Sequence, residues 1–112
     1  MDGSGGRVGR IQGDVARGQV AMAMTAAALN VSLSEIDGES RAPDAVFARK
    51  LAMYLAHVAF GMSLGRVAMA FGRDRSTVGQ ACHCIEDKRE DDQFDRWIGA
   101  LEAAIAITPV AA

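Results

Sequence analysis

The middle of the chain is patterned by apolar residues at helical spacing. Between Ser63 and Ile85 two stripes follow one another, at residues Leu64, Val67, Ala68 and Phe71 and at residues Val78, Ala81, Cys82 and Ile85. Each stripe has the i, i+3, i+4, i+7 spacing of a helix that buries one face. No stretch shows the alternation of β-branched and aromatic residues that is typical of strands. The pattern predicts an all-α fold, a small helical domain of about five to six helices.

The two stripes are separated by residues that typically end one helix and begin the next. Gly72 stands where a C-cap glycine belongs, and Asp74 stands where an N-cap residue would accept the amides of Ser76 and Thr77. Two short helices joined by such a turn form a helix-turn-helix. The outer face of the second helix carries side chains that can meet phosphates and base edges, namely Arg75, Ser76, Thr77, Gln80 and His83.

The flanking segments predict further helices around this motif. Residues 1–10 are glycine-rich and are expected to form a disordered N-terminal arm, with a single domain over residues 11–108. The expected helices lie at residues 11–29, 30–36, 45–60 and 93–107, with a cap at Ser32 or Ser34 and with Pro43 opening the third of them. Gly13 and Gly18 weaken the start of the first helix.

Charge is unevenly distributed along the chain. The formal net charge is −2, but residues 41–75 hold six basic residues against two acidic ones. Residues 86–102 hold seven acidic residues against three basic ones. Since local charge governs the attraction of phosphates, the basic segment can bind nucleic acid despite the negative total. The acidic segment is typical of a solvated junction or a partner surface.

Several other classes of protein are disfavoured by the sequence. No apolar run approaches the roughly 20 residues that span a bilayer, and the N-terminus lacks the apolar core of a secretory signal, so we expect a cytoplasmic, nucleoid-associated protein. There is no GxxxxGK[ST] phosphate loop and no convincing nucleophile, so we expect neither an enzyme nor a cofactor. Cys82 and Cys84 point to different sides of one helix and cannot chelate a metal ion together.

Residues 48–90 resemble the C-terminal DNA-binding domain, domain IV, of the bacterial replication initiator DnaA, and weaker similarity begins near Val20. The matching residues are Arg49, Ala52-Met53-Tyr54-Leu55, Ser63-Leu64, Phe71-Gly72, Arg73-Asp74, Thr77-Val78, Ala81-Cys82 and Ile85. Two features depart from the family pattern: its paired glycine is a single Gly72 here, and its His-Thr-Thr is Arg75-Ser76-Thr77. The ATPase module that accompanies the domain in the initiator has no counterpart in this sequence.

The resemblance implies a set of DNA contacts. Arg49 would enter or border the minor groove, where an arginine senses a narrow, A·T-rich groove. The helix that begins at Arg75 would lie in the major groove, and the preceding helix would cross the backbone. Gly79 would let the second helix approach closely. The expected DNA-binding residues are Arg41, Arg49, Lys50, Ser63, Leu64, Arg66, Arg73, Asp74, Arg75, Ser76, Thr77, Gly79, Gln80 and His83.

The function implied is sequence-specific binding of double-stranded DNA by a free-standing transcriptional regulator. Similar small regulators include alphaproteobacterial activators of gene transfer agent genes. The acidic C-terminal region would contact RNA polymerase, a sigma-like factor or a companion regulator, and a homodimer is compatible with the sequence. Two alternatives remain: a protein-interaction adaptor that has lost specific DNA binding, and a replication-control protein that occupies initiator boxes.

Overall fold

The computed structural model describes residues 3–109, and their side chains from Gly9 onwards. These residues form six helices and no strand, which confirms the predicted all-α fold. The helices are α1 (Gly3–Leu29), α2 (Leu33–Asp37), α3 (Pro43–Val58), α4 (Leu64–Phe71), α5 (Arg75–Lys88) and α6 (Asp92–Ala106). None of them is both long enough and apolar enough to cross a membrane.

The disordered arm predicted over residues 1–10 is corrected by the structure. Helix α1 begins at Gly3, so residues 3–10 are helical, while Met1 and Asp2 lie outside the described residues. The glycines of this segment are poor helix formers, but extending an existing helix costs far less than nucleating one. The packed part of α1 can therefore propagate towards the N-terminus.

Helix α3 lies at the centre of the fold. Its residues 51–56 are all buried, which means that this part of the helix is covered on every side. Helices α1, α2, α4 and α5 all contact it. Its alanines at positions 48, 52 and 56 keep the helix thin where neighbours pack, and Leu51, Tyr54 and Leu55 fill the spaces between them. The motif formed by α4 and α5 is held in place by this helix.

Most predicted helix ends are confirmed. Ser32 accepts a hydrogen bond from the Glu35 amide at 3.2 Å, and Pro43 is the first residue of α3. Gly72 adopts the left-handed conformation (φ 64°, ψ 38°), and the next amide donates back to Ala68 at 2.9 Å. Asp74 holds the N-cap position of α5, but its side chain caps neither predicted amide, so that part of the prediction is wrong. Its carboxylate faces solvent instead.

Helix α1 is joined to α4 by close packing and by an ion pair. At Gly18 a Cβ would lie 3.3 Å from the Phe71 ring, so the two helices approach here because glycine lacks a side chain. Asp14, only 6% exposed, accepts two hydrogen bonds from Arg66, from Nε at 2.9 Å and from Nη2 at 2.6 Å. The hydrogen bonds from Arg66 hold the pKa of Asp14 below its ordinary value, against the opposing effect of burial.

Helix α6 is fastened through Arg89, which lies within the charged run at residues 86–92. Its guanidinium donates to Asp95 at 2.6 Å and to Glu102 at 3.1 Å, both on α6, and to the Tyr54 hydroxyl of α3 at 2.9 Å. That hydroxyl in turn donates to Glu86. Burial, and the hydrogen bond to Glu86, raise the pKa of Tyr54 to about 12. Glu86 and Arg89 therefore belong to an organised polar network, while the other residues of the charged run are exposed, as the sequence predicted.

We predict that Asp14→Asn lowers the free energy of unfolding at pH 7 by about 1–2 kcal/mol, because it weakens the charge-assisted bonds to Arg66. A carboxylate whose folded pKa is depressed stabilises the protein above its unfolded pKa, and this contribution is lost as the pH falls through the lower folded value. The difference between variant and wild type should therefore shrink as the pH drops below the ordinary value of 3.8. Urea unfolding across this pH range measures it.

The matched control is Asp87→Asn, at an exposed position that forms no ion pair with the described residues. It should change stability by less than about 0.5 kcal/mol at pH 7. A gap between D14N and wild type that persists unchanged at low pH would contradict the assigned role of Asp14.

Candidate nucleic-acid interface

The second helix of the motif presents the polar face that its sequence predicts. Helix α5 buries Val78, Ala81, Cys82 and Ile85 against the core. It exposes Arg75, Ser76, Thr77, Gln80 and His83, and also Glu86, Asp87 and Lys88 near its C-terminal end. Only residues 72–74 separate α4 from α5, a tight turn made possible by the left-handed Gly72. This geometry places a helix with guanidinium, hydroxyl, amide and imidazole groups on the surface.

A groove of about 190 Å³ separates the start of α3 from the start of α5, and we name it the α3–α5 groove. It brings together five of the predicted DNA-binding residues from three parts of the sequence. The residues that line it are Val46, Arg49, Lys50, Met53, Arg73, Thr77, Gln80 and Ala81. Three of these side chains are cationic, so the groove is suited to an anionic ligand.

Arg49 contributes to the groove with only part of its guanidinium. Its Nε donates to the Ile36 carbonyl at 2.9 Å, and its Nη2 donates to the carbonyls of Glu35 and Ser40 at 2.9 Å and 3.1 Å. A guanidinium carries five N–H donors, so the two on Nη1 remain after these bonds. Burial, together with the nearby charge of Arg73, lowers the pKa of Arg49 from its ordinary value. An arginine nevertheless remains cationic in proteins.

The Arg73 guanidinium also binds acceptors within the protein. Its Nη2 donates to the Gly38 carbonyl at 2.6 Å, and its Nη1 lies 3.4 Å from the Glu39 carboxylate. Lys50 places its Nζ 4.0 Å from the Cys84 sulfur. Arg41 and Arg75 are exposed and form no ion pair with the part of the chain that the structure describes. These last two cations are the ones best placed to meet phosphates or bases.

The residues at α4 that are predicted to contact DNA also make contacts within the protein. Ser63 caps this helix by accepting a hydrogen bond from the Arg66 amide at 3.2 Å. Leu64 is half-buried and packs against the core. Asp14 engages the Nε and Nη2 of Arg66, so Nη1 is the part of this guanidinium left for the predicted phosphate contact. That contact stays a prediction.

A second depression of about 680 Å³ lies on the other side of α5, and its chemistry is mixed. Its lining residues are Tyr54, His57, Val58, Leu64, Gly79, Cys82, His83, Glu86, Arg89 and Asp95. Burial, and the charge of Glu86, raise the pKa of the Cys82 thiol to about 11, which disfavours the thiolate that binds metals. Within residues 3–109, no cluster of His, Cys, Asp and Glu could hold a metal ion. The carboxylates make this side less attractive to DNA than the α3–α5 groove.

No pattern in the sequence indicates the backbone carbonyls that bind Arg49 and Arg73. These bonds join residues 9 to 35 positions apart, and their acceptors are main-chain atoms that every residue carries. Glu39 was also missed, since an isolated glutamate in a polar loop shows no pattern. Only the tertiary structure reveals that this loop borders the groove.

Comparison with known proteins relates the motif to a described family. The family model for the bacterial dnaA protein helix-turn-helix matches residues 19–85. The chain is 43% identical over 68 residues to chromosomal replication initiator protein DnaA 2 of Chlamydia pneumoniae, and 36% identical over 81 residues to chromosomal replication initiator protein DnaA 1 of Protochlamydia amoebophila. These matches cover 61% and 71% of this chain but only 15% and 18% of the relatives.

A solved structure has the same arrangement of helices. The crystal structure of a DNA replication initiation factor superimposes with a TM-score of 0.77 and 27% sequence identity. The superposition covers 85% of this chain and 30% of that protein. It therefore extends beyond the family match at residues 19–85.

We predict that two glycine substitutions in this motif change the stability of the protein in opposite directions. Gly79→Ala should stabilise the protein by up to about 1 kcal/mol, because alanine favours helix and its Cβ would meet only Leu64, at 3.9 Å. Gly72→Ala should destabilise it by about 1 kcal/mol, because alanine is strained at φ 64°. Thermal or urea unfolding measures both. A destabilised G79A would mean that this glycine is required by the fold.

Proposed function

This chain belongs to the bacterial DnaA helix-turn-helix family, and we propose that it binds double-stranded DNA in a sequence-specific manner. The observation that carries this proposal is the exposed polar face of α5 beside the cationic α3–α5 groove. A helix of this kind fits the major groove of B-DNA, which is wide enough to admit it. We propose a binding protein rather than an enzyme.

The proposed docking follows the usual geometry of a helix-turn-helix. Helix α5 lies in the major groove with its N-terminal residues towards the bases, and α4 crosses the backbone. Arg75 can form two hydrogen bonds with a guanine, and Gln80 can do the same with an adenine. The Thr77 hydroxyl and methyl suit a phosphate or a thymine, and the missing side chain at Gly79 permits close approach.

The start of α3 would face the flanking minor groove or its phosphates. Arg49 would offer the two N–H donors of Nη1, with Lys50 beside it and Arg41 in the segment before α3. A narrow minor groove attracts arginine through its enhanced negative potential. This arrangement would read A·T-rich DNA next to the site contacted by α5.

We propose regulation of transcription as the biological role, with activation through a protein partner. What supports a partner surface is the series of exposed carboxylates from Glu86 to Asp92, which lies outside the family match at residues 19–85. RNA polymerase, a sigma-like factor or a companion regulator would be the partner, and the protein would resemble the small activators of gene transfer agent genes. A homodimer would double the DNA surface.

A second candidate role is control of replication through occupation of initiator boxes. The observation that favours it is the identity of the relatives, which are named chromosomal replication initiator proteins. The two roles use the same DNA interface and differ in the position of the target site. Mapping the bound sites in the genome distinguishes them, because replication control requires sites at an origin and transcriptional control requires sites at promoters.

We predict that Arg75→Ala weakens binding to a preferred duplex by about tenfold or more, because a bidentate contact to a base contributes about 1–3 kcal/mol. Fluorescence anisotropy with a duplex carrying an initiator-type box, and with a scrambled duplex of equal length, measures this at two salt concentrations. The variant should also lose most of the preference between the two duplexes.

The control is Arg96→Ala, which removes an exposed arginine from α6, outside the groove. It should leave the affinity within about twofold of wild type, apart from a small electrostatic change. If the wild-type protein binds neither duplex at low salt, autonomous DNA binding is excluded. Capture of a protein partner without DNA would then favour the adaptor function.

A further inference from the structure

Two arginines, one from α3 and one from the α4–α5 turn, hold the end of α2 and the segment that links α2 to α3. Arg49 of α3 binds the carbonyls of Glu35, Ile36 and Ser40, and Arg73 of the α4–α5 turn binds the carbonyl of Gly38 at 2.6 Å. We name these four contacts the carbonyl clamp. They connect the segment to both halves of the α3–α5 groove, because both arginines also line that groove.

The carbonyl clamp meets a structural need of this segment. Helix α2 has only five residues, so its last carbonyls have no following helical turn to accept from. Buried or half-buried carbonyls without donors are costly, and charged donors form the stronger hydrogen bonds. Arg73 supplies such a donor with a side chain that is only 16% exposed. This arginine is therefore much less available to DNA than its position in the turn predicts.

Arg41 directly follows the clamped residues and is itself exposed. Before it, Ser40 is fixed by its carbonyl bond to Arg49. After it, the Ala42 amide donates to the Ser40 hydroxyl at 3.3 Å, and Pro43 begins α3 with a fixed φ. The backbone is therefore held by hydrogen bonds and by Pro43 on both sides of this exposed cation.

We propose that Arg73, together with Arg49, is a positioning residue that presents Arg41, the residue directly after the segment that these two arginines bind, to a DNA phosphate. This inference rests on the proposed DNA binding. Arg41 makes the contact. Because the clamp already restricts the segment, less conformational entropy is lost on binding than with a flexible loop. Arg73 then affects affinity chiefly through Arg41 and contributes little as a phosphate ligand of its own.

Substitution of Glu39 distinguishes the effect of the Arg73–Gly38 carbonyl bond from the effect of the Arg73–Glu39 ion pair. Its carboxylate is 92% exposed and lies 3.4 Å from Nη1, whereas the Gly38 carbonyl lies 2.6 Å from Nη2. Exposed ion pairs of this kind contribute little to stability. Glu39→Gln should therefore leave the clamp, and the contribution of Arg41, in place.

The experiment is a double-mutant cycle with Arg41→Ala and Arg73→Ala, measured as affinity for the preferred duplex over a salt series. A double-mutant cycle measures how strongly the effect of one substitution depends on the other. In wild type, Arg41→Ala should weaken binding about five- to tenfold and lower the salt slope by roughly 0.9, the value for one phosphate. In the R73A background it should change binding by less than about twofold, with no further change in slope.

A second variant tests the same idea without removing a charge. At Gly38 a Cβ would lie 2.8 Å from the Ser34 carbonyl oxygen, so Gly38→Ala must displace the clamped segment. We expect Arg41→Ala to lose its effect in this background also, while its effect in the E39Q background stays as in wild type. Thermal unfolding of each variant confirms that the domain is folded at the assay temperature.

The outcomes separate this inference from the proposed function. If the wild type binds the duplex and the losses from Arg41→Ala and Arg73→Ala simply multiply, Arg73 acts independently of Arg41 and the inference is overturned while DNA binding stands. Retention of the full Arg41 effect in G38A has the same consequence. Absence of wild-type binding would overturn the proposed function, and this inference with it.

Discussion

Burial of α3 on all sides determines where the neighbouring helices of this protein lie. A helix with six consecutive buried residues, 51–56, needs neighbours around its whole circumference, and α1, α2, α4 and α5 supply them. The position of the motif follows from this, since α4 and α5 are two of those neighbours. The exposed start of α3 and the exposed start of α5 consequently come to lie across one groove.

Cations in this protein serve both the fold and the proposed interface. Arg66 joins α4 to α1 through Asp14, Arg89 joins α6 to α3, and Arg73 holds the segment before α3. Arg41 and Arg75 are left exposed. A net charge of −2 is compatible with DNA binding because the carboxylates from Glu86 to Asp92 lie at and beyond the C-terminal end of α5, while the groove lies near its start.

Much of the fold could be predicted from the sequence, because local patterns determine it. The apolar stripes of α4 and α5 and the glycine at position 72 place these helices to within about three residues. The start of α1 could not be predicted, since residues 3–10 are poor helix formers that extend a helix stabilised elsewhere.

The exposed residues of the candidate site can be predicted from the sequence better than the residues that already form hydrogen bonds within the protein. The outer face of α5 follows from helical periodicity alone. The pairing of Arg66 with Asp14 joins residues 52 positions apart, and the carbonyl clamp uses main-chain acceptors, so no local pattern reveals either. The sequence shows which arginines are present, but only the tertiary structure shows which of them already form hydrogen bonds within the protein.

The most direct test of the central claim is an NMR titration of the isotopically labelled protein with an unlabelled preferred duplex. We expect the amide shifts to change most at residues 38–42, 49–50, 63–66 and 73–83, that is, in the α3–α5 groove, in the segment before α3, at the start of α4 and along the exposed face of α5. Residues 95–106 of α6 should change little. Shift changes centred on α6 or on the second depression beside Glu86 and Asp95, with the groove unaffected, would contradict the assignment of the groove as the DNA-binding face.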